Sequence, residues 1–150
     1  MSAHKTTISL AFVILLLPFS ISLAYSEEIV GETGKVVDGD TLYVCDADAC
    51  HKIRLCGIDA PEKGDIRYKS SRSALRDLVT GRQVRCVRVG EGSICDGRSR
   101  KTNHDRIVAQ CFIGTTDIAD VLISRGYACD WVKFSGGHYS KTVGRAICEK

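Results

Sequence analysis

The sequence predicts a mainly β fold with added helices (α+β): a five-stranded Greek-key barrel carrying two to three helices and stabilised by disulfides. Three observations predict it. Short runs of β-branched and aromatic residues recur between turn residues. Two stretches of helical periodicity interrupt those runs, one after the third and one after the fifth. All eight cysteines fall after residue 44.

The first three strands are read at 35–37, 41–45 and 52–56, split by Asp38-Gly39 and by the acidic turn 46–49. Pro61 cannot continue a central strand, so the third ends around 57–59. From 68 to 80 the apolar residues Ala74, Leu75, Leu78 and Val79 share one helical face, and Gly81 is a natural stop. Alternation returns at 83–89, and 106–113 gives a fifth strand. Between them, 90–105 is glycine-rich and charged and reads as an exposed connection. Thr116 is expected to cap a second helix over 117–124, closed by Gly126. Three strands, a helix, two strands and a helix is the order of an OB-type barrel. Such barrels commonly bind oligonucleotides, but a fold alone does not give a function.

The first residues are not expected to join that fold. Lys5, an apolar run over 8–17, Pro18 and the small-residue exit Ser22-Leu23-Ala24 read as a secretory signal peptide over 1–24, with a cut after Ser26 or an uncleaved N-terminal anchor as the alternatives. The run is too short, and too soon followed by Glu27 and Glu28, to suit a membrane span. Residues 25–150 then form one domain, secreted or periplasmic, without stable membrane association and expected as a monomer. Loss of Lys5 with the leader lowers the formal charge of +3 by one. So weak a basic balance permits a polyanionic partner without pointing to one.

An even number of cysteines in an exported chain implies disulfides before metal. Eight allow about a hundred connectivities, so the map stays open. Two pairs are plausible on geometry: Cys45 with Cys50 across a short acidic loop, and Cys86 with Cys111 on strands expected to be neighbours. Structural zinc would call for tight Cys-x-x-Cys spacing or clustered histidines, and the sequence has neither. Asp46 and Asp48 lack the glycine and distal Glu of a calcium loop and are read as solvated. His51 and His138 have no partner pattern and are read as surface histidines.

Two segments carry candidate chemistry: Val36-Val37-Asp38-Gly39-Asp40-Thr41, and 53–62 with Arg54, Asp59, Ala60, Pro61 and Glu62. Asp40 begins one strand and Asp59 ends the next, and in an antiparallel meander such places can be close. Two carboxylates converging there repel unless a cation lies between them, and calcium takes oxygen ligands of this kind. Either segment alone is also ordinary turn chemistry, and Asp38 itself suits a turn-fixing role.

Together the two segments resemble the paired signature of the staphylococcal-nuclease-like family: Asp-Gly-Asp-Thr, then an Arg, four residues, and Asp-x-Pro-Glu. The similarity continues through Arg106-Ile107-Val108-Ala109 and the turn and helix over 114–126, so it runs from about 36 to 134. It implies that Asp40 and Asp59 give carboxylate oxygens to one calcium ion and Ala60 a carbonyl. Glu62 would orient or deprotonate water, and Arg54 and Arg106 would grip the phosphate. The implied activity is cleavage of DNA, RNA or both at the bond to the 5′ oxygen, leaving 3′-phosphate ends. The chain departs from the family before Arg106, where Asp-Lys/Arg-Tyr-Gly-Arg becomes Thr102-Asn103-His104-Asp105-Arg106. An acid beside a phosphate-binding arginine could weaken substrate affinity, or mark a different turn.

Contacts beyond the scissile phosphate are expected from Phe134, His104 and Lys133. The aromatics Trp131, Phe134 and Tyr139 suit base stacking and C-terminal packing equally. The family closes with a long helix, whereas 140–150 is short and contains Gly144; Cys148 is placed to pin this tail, with Cys129 a candidate partner. Two readings compete with the nuclease: a catalytically weak or inactive OB module binding nucleic acid or a protein, and a disulfide-rich exported protein whose motifs are turn chemistry.

Overall fold

A computed structural model describes residues 28–141 together with 146 and 148. The signal-peptide reading of 1–24 lies outside the described residues. Three strands come first, β1 (Ile29–Val36), β2 (Thr41–Cys45) and β3 (Cys50–Leu55), followed by the two-residue β4 (Ile58–Asp59) and helix α1 (Tyr68–Val79). Next are β5 (Gln83–Arg88), short β6 (Thr102–Asn103), β7 (Arg106–Ile113), short β8 (Thr116–Asp117) and helix α2 (Ile118–Ser124). The chain ends its described part with β9 (Cys129–Asp130), helix α3 (Val132–Ser135) and a 3₁₀ turn at Tyr139–Lys141.

The five long strands close on themselves. Antiparallel pairs join β1 to β2, β2 to β3, β1 to β5 and β5 to β7, and β3 runs parallel to β7 through Ile53↔Ile107 and Leu55↔Ala109. Each long strand therefore has two neighbours and no edge is left open. This is the OB-type barrel expected from the sequence, with three helices on it. The alternation of β3 shows how the barrel makes an inside and an outside. Ile53 and Leu55 point into the core and are fully buried, while Arg54 between them takes the opposite face. Helix α1 buries Leu75 and Val79 against the core, with Ala74 and Leu78 partly buried beside them. No helix among the described residues is long and apolar enough to cross a membrane.

All eight cysteines are paired: Cys45–Cys50, Cys56–Cys95, Cys86–Cys111 and Cys129–Cys148. The Cys56–Cys95 bond corrects the reading of 90–105 as a simple exposed connection. It draws Cys95 and Ser93 into the interior, and the Asp96 carboxylate gathers the loop by accepting from the amides of Gly90 (2.6 Å) and Gly92 (2.8 Å) and the Ser93 hydroxyl (2.7 Å).

A second correction concerns α2. Its cap is Asp117, which accepts from the amides of Ala119 (2.9 Å) and Asp120 (3.4 Å), and not Thr116. The other Asp117 oxygen accepts from Gln110 Nε2 (2.7 Å) and the Tyr139 hydroxyl (3.1 Å). Tyr139 is fully buried, so of its two expected uses only packing survives. Asp117→Ala is expected to cost about 3 kcal/mol in a urea melt, from a lost cap plus the loss of the acceptor shared by the Gln110 amide and the Tyr139 hydroxyl. A change below about 1 kcal/mol would mean that water replaces these contacts. His51, expected to be unpartnered, instead lies 2.7 Å from Asp46 Oδ2. Asp46 is itself no idle solvated acid, since its other oxygen holds the 46–49 turn through the amides of Asp48 and Ala49.

Candidate active site

The strand that supplies Arg54 also explains its burial. On the outer face of β3 this side chain would meet solvent, but the 55–62 segment folds back over it. Its Nη1 donates to the Leu55 carbonyl at 2.7 Å and Nη2 to the Ile58 carbonyl at 3.0 Å. Nη2 also lies 3.1 Å from Asp40 Oδ2 and 3.6 Å from Asp59 Oδ1. One guanidinium thus stands between two carboxylates that come from separate segments of the chain, the turn before β2 and β4.

Asp40 reaches this point through the turn before β2. Asp38 Oδ1 accepts from the Asp40 amide at 3.1 Å, the turn-fixing role expected for Asp38. Gly39 lets the turn pass close under the 59–62 segment: a Cβ there would come within 2.7 Å of Ala60 Cβ and closer still to Ser71 Oγ. The Asp40 carboxylate then accepts from the Ala60 amide (3.0 Å) and the Thr41 hydroxyl (3.1 Å). Asp40 is 6% exposed. Burial pushes its carboxyl up to about 6, against the opposing pull of Arg54.

Asp59 arrives by a pairing that the sequence did not reveal. Two-residue β4 pairs with β9 in the register Ile58↔Asp130 and Asp59↔Cys129. The Asp130 side chain is fully buried, bonded to the Ser135 hydroxyl and to the Ser140 amide at 2.8 Å. It anchors β9, and β9 in turn positions Asp59.

Arg106 begins β7 across the barrel seam, and its Nη1 donates to Thr41 Oγ1 at 3.2 Å. Thr41 therefore links it to Asp40. The altered segment before Arg106 is a tight hairpin, Asn103 pairing with Arg106 and His104 taking a left-handed φ of 55°. Asp105 turns to Lys52, with Oδ2 at 2.7 Å from Nζ. That hydrogen bond holds the Asp105 carboxyl below its ordinary range. The acid expected to burden Arg106 is thus engaged with Lys52.

These groups line one open cleft of ≈ 460 Å³ that includes Asp40, Arg54, Asp59, Ala60, Glu62 and Arg106. All six residues predicted for catalysis or metal binding are brought together. The three predicted nucleic-acid contacts, Phe134, His104 and Lys133, line an adjoining groove of ≈ 700 Å³. Cleft and groove share Arg54, Asn103 and Trp131. Trp131 and Phe134 meet edge to face at 4.6 Å on the groove wall. Sequence reading missed Arg98 and Arg100, which also line it. The basic run Arg98-Ser99-Arg100-Lys101 was the available signal; the disulfide that folds its loop onto the barrel was not.

The oxygen donors of the cleft fit a hard divalent cation. A carboxylate offers about four acceptor positions, and the three contacts on Asp40 leave room on Oδ1.

A family model described as staphylococcal nuclease homologue matches residues 52–145. The chain belongs to that family. The matched span contains Arg54, Asp59, Glu62 and Arg106; Asp40 lies before it and joins the site by geometry. A Haemophilus influenzae protein named "Uncharacterized endonuclease" is 31% identical over 123 residues, covering 81% of this chain and 64% of that one. Proteins of the same name from Escherichia coli O157:H7 and Escherichia coli are 40% identical over 57 residues, covering 38% of this chain and 37% of theirs. The chain thus spans less than two thirds of the length of these relatives.

Proposed function

We propose that this chain is an exported nuclease that hydrolyses phosphodiester bonds of DNA, RNA or both with calcium, leaving 3′-phosphate ends. The reading is carried by one observation: two carboxylates from separate segments, Asp40 from the turn before β2 and Asp59 from β4, meet on a buried arginine in a cleft that also holds Glu62 and Arg106. Family membership and the endonuclease names of the relatives support it. Export, to a periplasm or beyond the cell, is supported by the leader-like start and by the pairing of every cysteine.

A phosphodiester is anionic and repels an attacking nucleophile, so the site must present positive charge where negative charge accumulates. Arg54 and Arg106 donate hydrogen bonds to the non-bridging oxygens, in a geometry that guanidinium groups can satisfy in pairs. Asp40, Asp59 and the Ala60 carbonyl would hold calcium, which when bound supplies further charge against the same phosphate. Glu62 accepts the proton of the attacking water. The groove receives the neighbouring nucleotides, with bases against Trp131 and Phe134 and phosphates near Lys133, Arg98, Arg100 and His104.

The test is cleavage of defined single-stranded DNA and RNA by the oxidised protein, with calcium and with calcium plus chelator, followed by end-group analysis. Fragments that need calcium and end in 3′-phosphate are expected. Binding without cleavage would leave a nucleic-acid-binding barrel, and neither outcome would leave the motifs as turn chemistry.

A further inference from the structure

The pairing that positions Asp59 also sets a disulfide against it. Cys129 is the register partner of Asp59 on β9 and is bonded to Cys148. A carboxylate oxygen of Asp59 and the two Sγ atoms all lie within 4.8 Å of one another. Asp59 and Cys129 line a hollow of ≈ 410 Å³ that shares the 59–63 segment with the catalytic cleft, so a water has space to complete the set. Spacing along the chain gave no metal pattern, because these cysteines are 19 residues apart; folding brings them together.

We propose that Asp59, Cys129 and Cys148 form a latent zinc site, closed while the disulfide is intact and opened by a dithiol reductant. The reductant gives two electrons and two protons: the Sγ–Sγ bond breaks, two thiols form, and the reductant leaves as its own disulfide. Zinc then displaces the two thiol protons to solvent and takes two sulfurs, one oxygen and a water. Zinc binds sulfur at about 2.3 Å and oxygen at about 2.0–2.2 Å, which spaces tetrahedral ligand atoms about 3.3–3.8 Å apart. Thiolates select zinc over the harder ions suited to an all-oxygen site.

Two features make the site specific. Cys148 does not depend on the disulfide to stay near, since its amide donates to the Asp130 carbonyl at 3.0 Å and the Asp130 amide to the Ala146 carbonyl at 2.8 Å. The four disulfides also differ in access. Cys56, Cys86, Cys95 and Cys111 are buried, whereas Cys129 and Cys148 are half-buried, as is Cys45, and Cys50 is exposed. Limited reduction therefore opens Cys129–Cys148 and Cys45–Cys50 before the buried pairs. Zinc so bound takes the Asp59 carboxylate from the catalytic cleft and stops cleavage, a consequence that rests on the nuclease reading above.

The experiment is a cobalt(II) titration of the Cys45→Ser/Cys50→Ser protein after limited reduction by dithiothreitol and its removal, with alkylation mapping to show which cysteines were freed. One cobalt per chain is expected, with a sulfur-to-cobalt charge-transfer band that zinc abolishes. The band is expected to be absent before reduction and absent when Cys129 and Cys148 are also serine. Asp59→Asn is expected to weaken binding about tenfold or more. If the serine variant does not fold, wild-type protein reduced until alkylation marks Cys129 and Cys148, with the buried pairs intact, takes its place. No band after reduction, or an affinity that Asp59→Asn leaves unchanged, overturns the site. Cleavage by the oxidised protein is measured separately, so the nuclease reading and the zinc site fail independently.

Discussion

Glu62→Gln is expected to lower the single-turnover rate at least about a hundredfold while leaving the urea melt and nucleic-acid affinity unchanged. The two halves of that expectation have different origins. Glu62 is exposed, and its side chain makes no hydrogen bond or ion pair among the described residues, so an isosteric amide costs the fold nothing. It nonetheless lines the cleft beside Asp59 and Ala60, where a carboxylate can accept a proton and an amide cannot. Arg54 and Arg106 remain to bind the phosphate, so affinity is kept. Removing a proton acceptor used only in the reacting state lowers turnover without weakening substrate binding. A variant that cleaves at the wild-type rate would remove Glu62 from the chemistry and return it to the role of a surface residue after Pro61.

What the sequence showed of this site was its residue types and their order; what it hid was how they are held. The barrel was legible because β2 and β7 are runs rich in β-branched, aromatic and other apolar residues bounded by turn residues, and the helix beginning at Tyr68 because its apolar residues recur at helical spacing. β4 and β9 have two residues each, too few to carry any period, and their pairing is what delivers Asp59. Arg54 was legible as a motif arginine. Its burial was not, because it depends on the 55–62 segment folding over an outward-facing strand position. Likewise Cys56–Cys95 joins residues 39 apart, and only that closure makes a basic loop into a groove wall. Asp105 shows the same limit in reverse. Beside Arg106 in sequence it looked harmful, and in space it pairs with Lys52, whose position in β3 is 53 residues away.

Burial of Asp40 leads to a second large effect, on stability rather than rate. Its folded pKa, about 6, stands above the ordinary 3.8. A raised carboxyl contributes stability that is fully present below about 4 and is lost as pH rises through about 6. Cation-free protein is therefore expected to lose on the order of 3 kcal/mol between pH 4 and pH 7. Asp46, Asp65, Asp96 and Asp105 are held below 3.8 and act in the opposite sense, but in a lower pH window and at the surface. Calcium should reverse the loss only where Asp40 is ionised. At about a hundred times its dissociation constant it is expected to restore roughly 3 kcal/mol at pH 7, about half of that at pH 5, where only about a tenth of Asp40 is ionised, and very little at pH 4. Asp40→Asn separates this from every other acid in the chain, because the amide can still accept from the Ala60 amide and Arg54 while carrying no charge to bury. Thermal melts of both proteins across this range, with calcium and with chelator, should show the variant losing the pH limb and the calcium shift together. If the variant keeps the calcium shift, the cation is bound elsewhere than on the buried carboxylate.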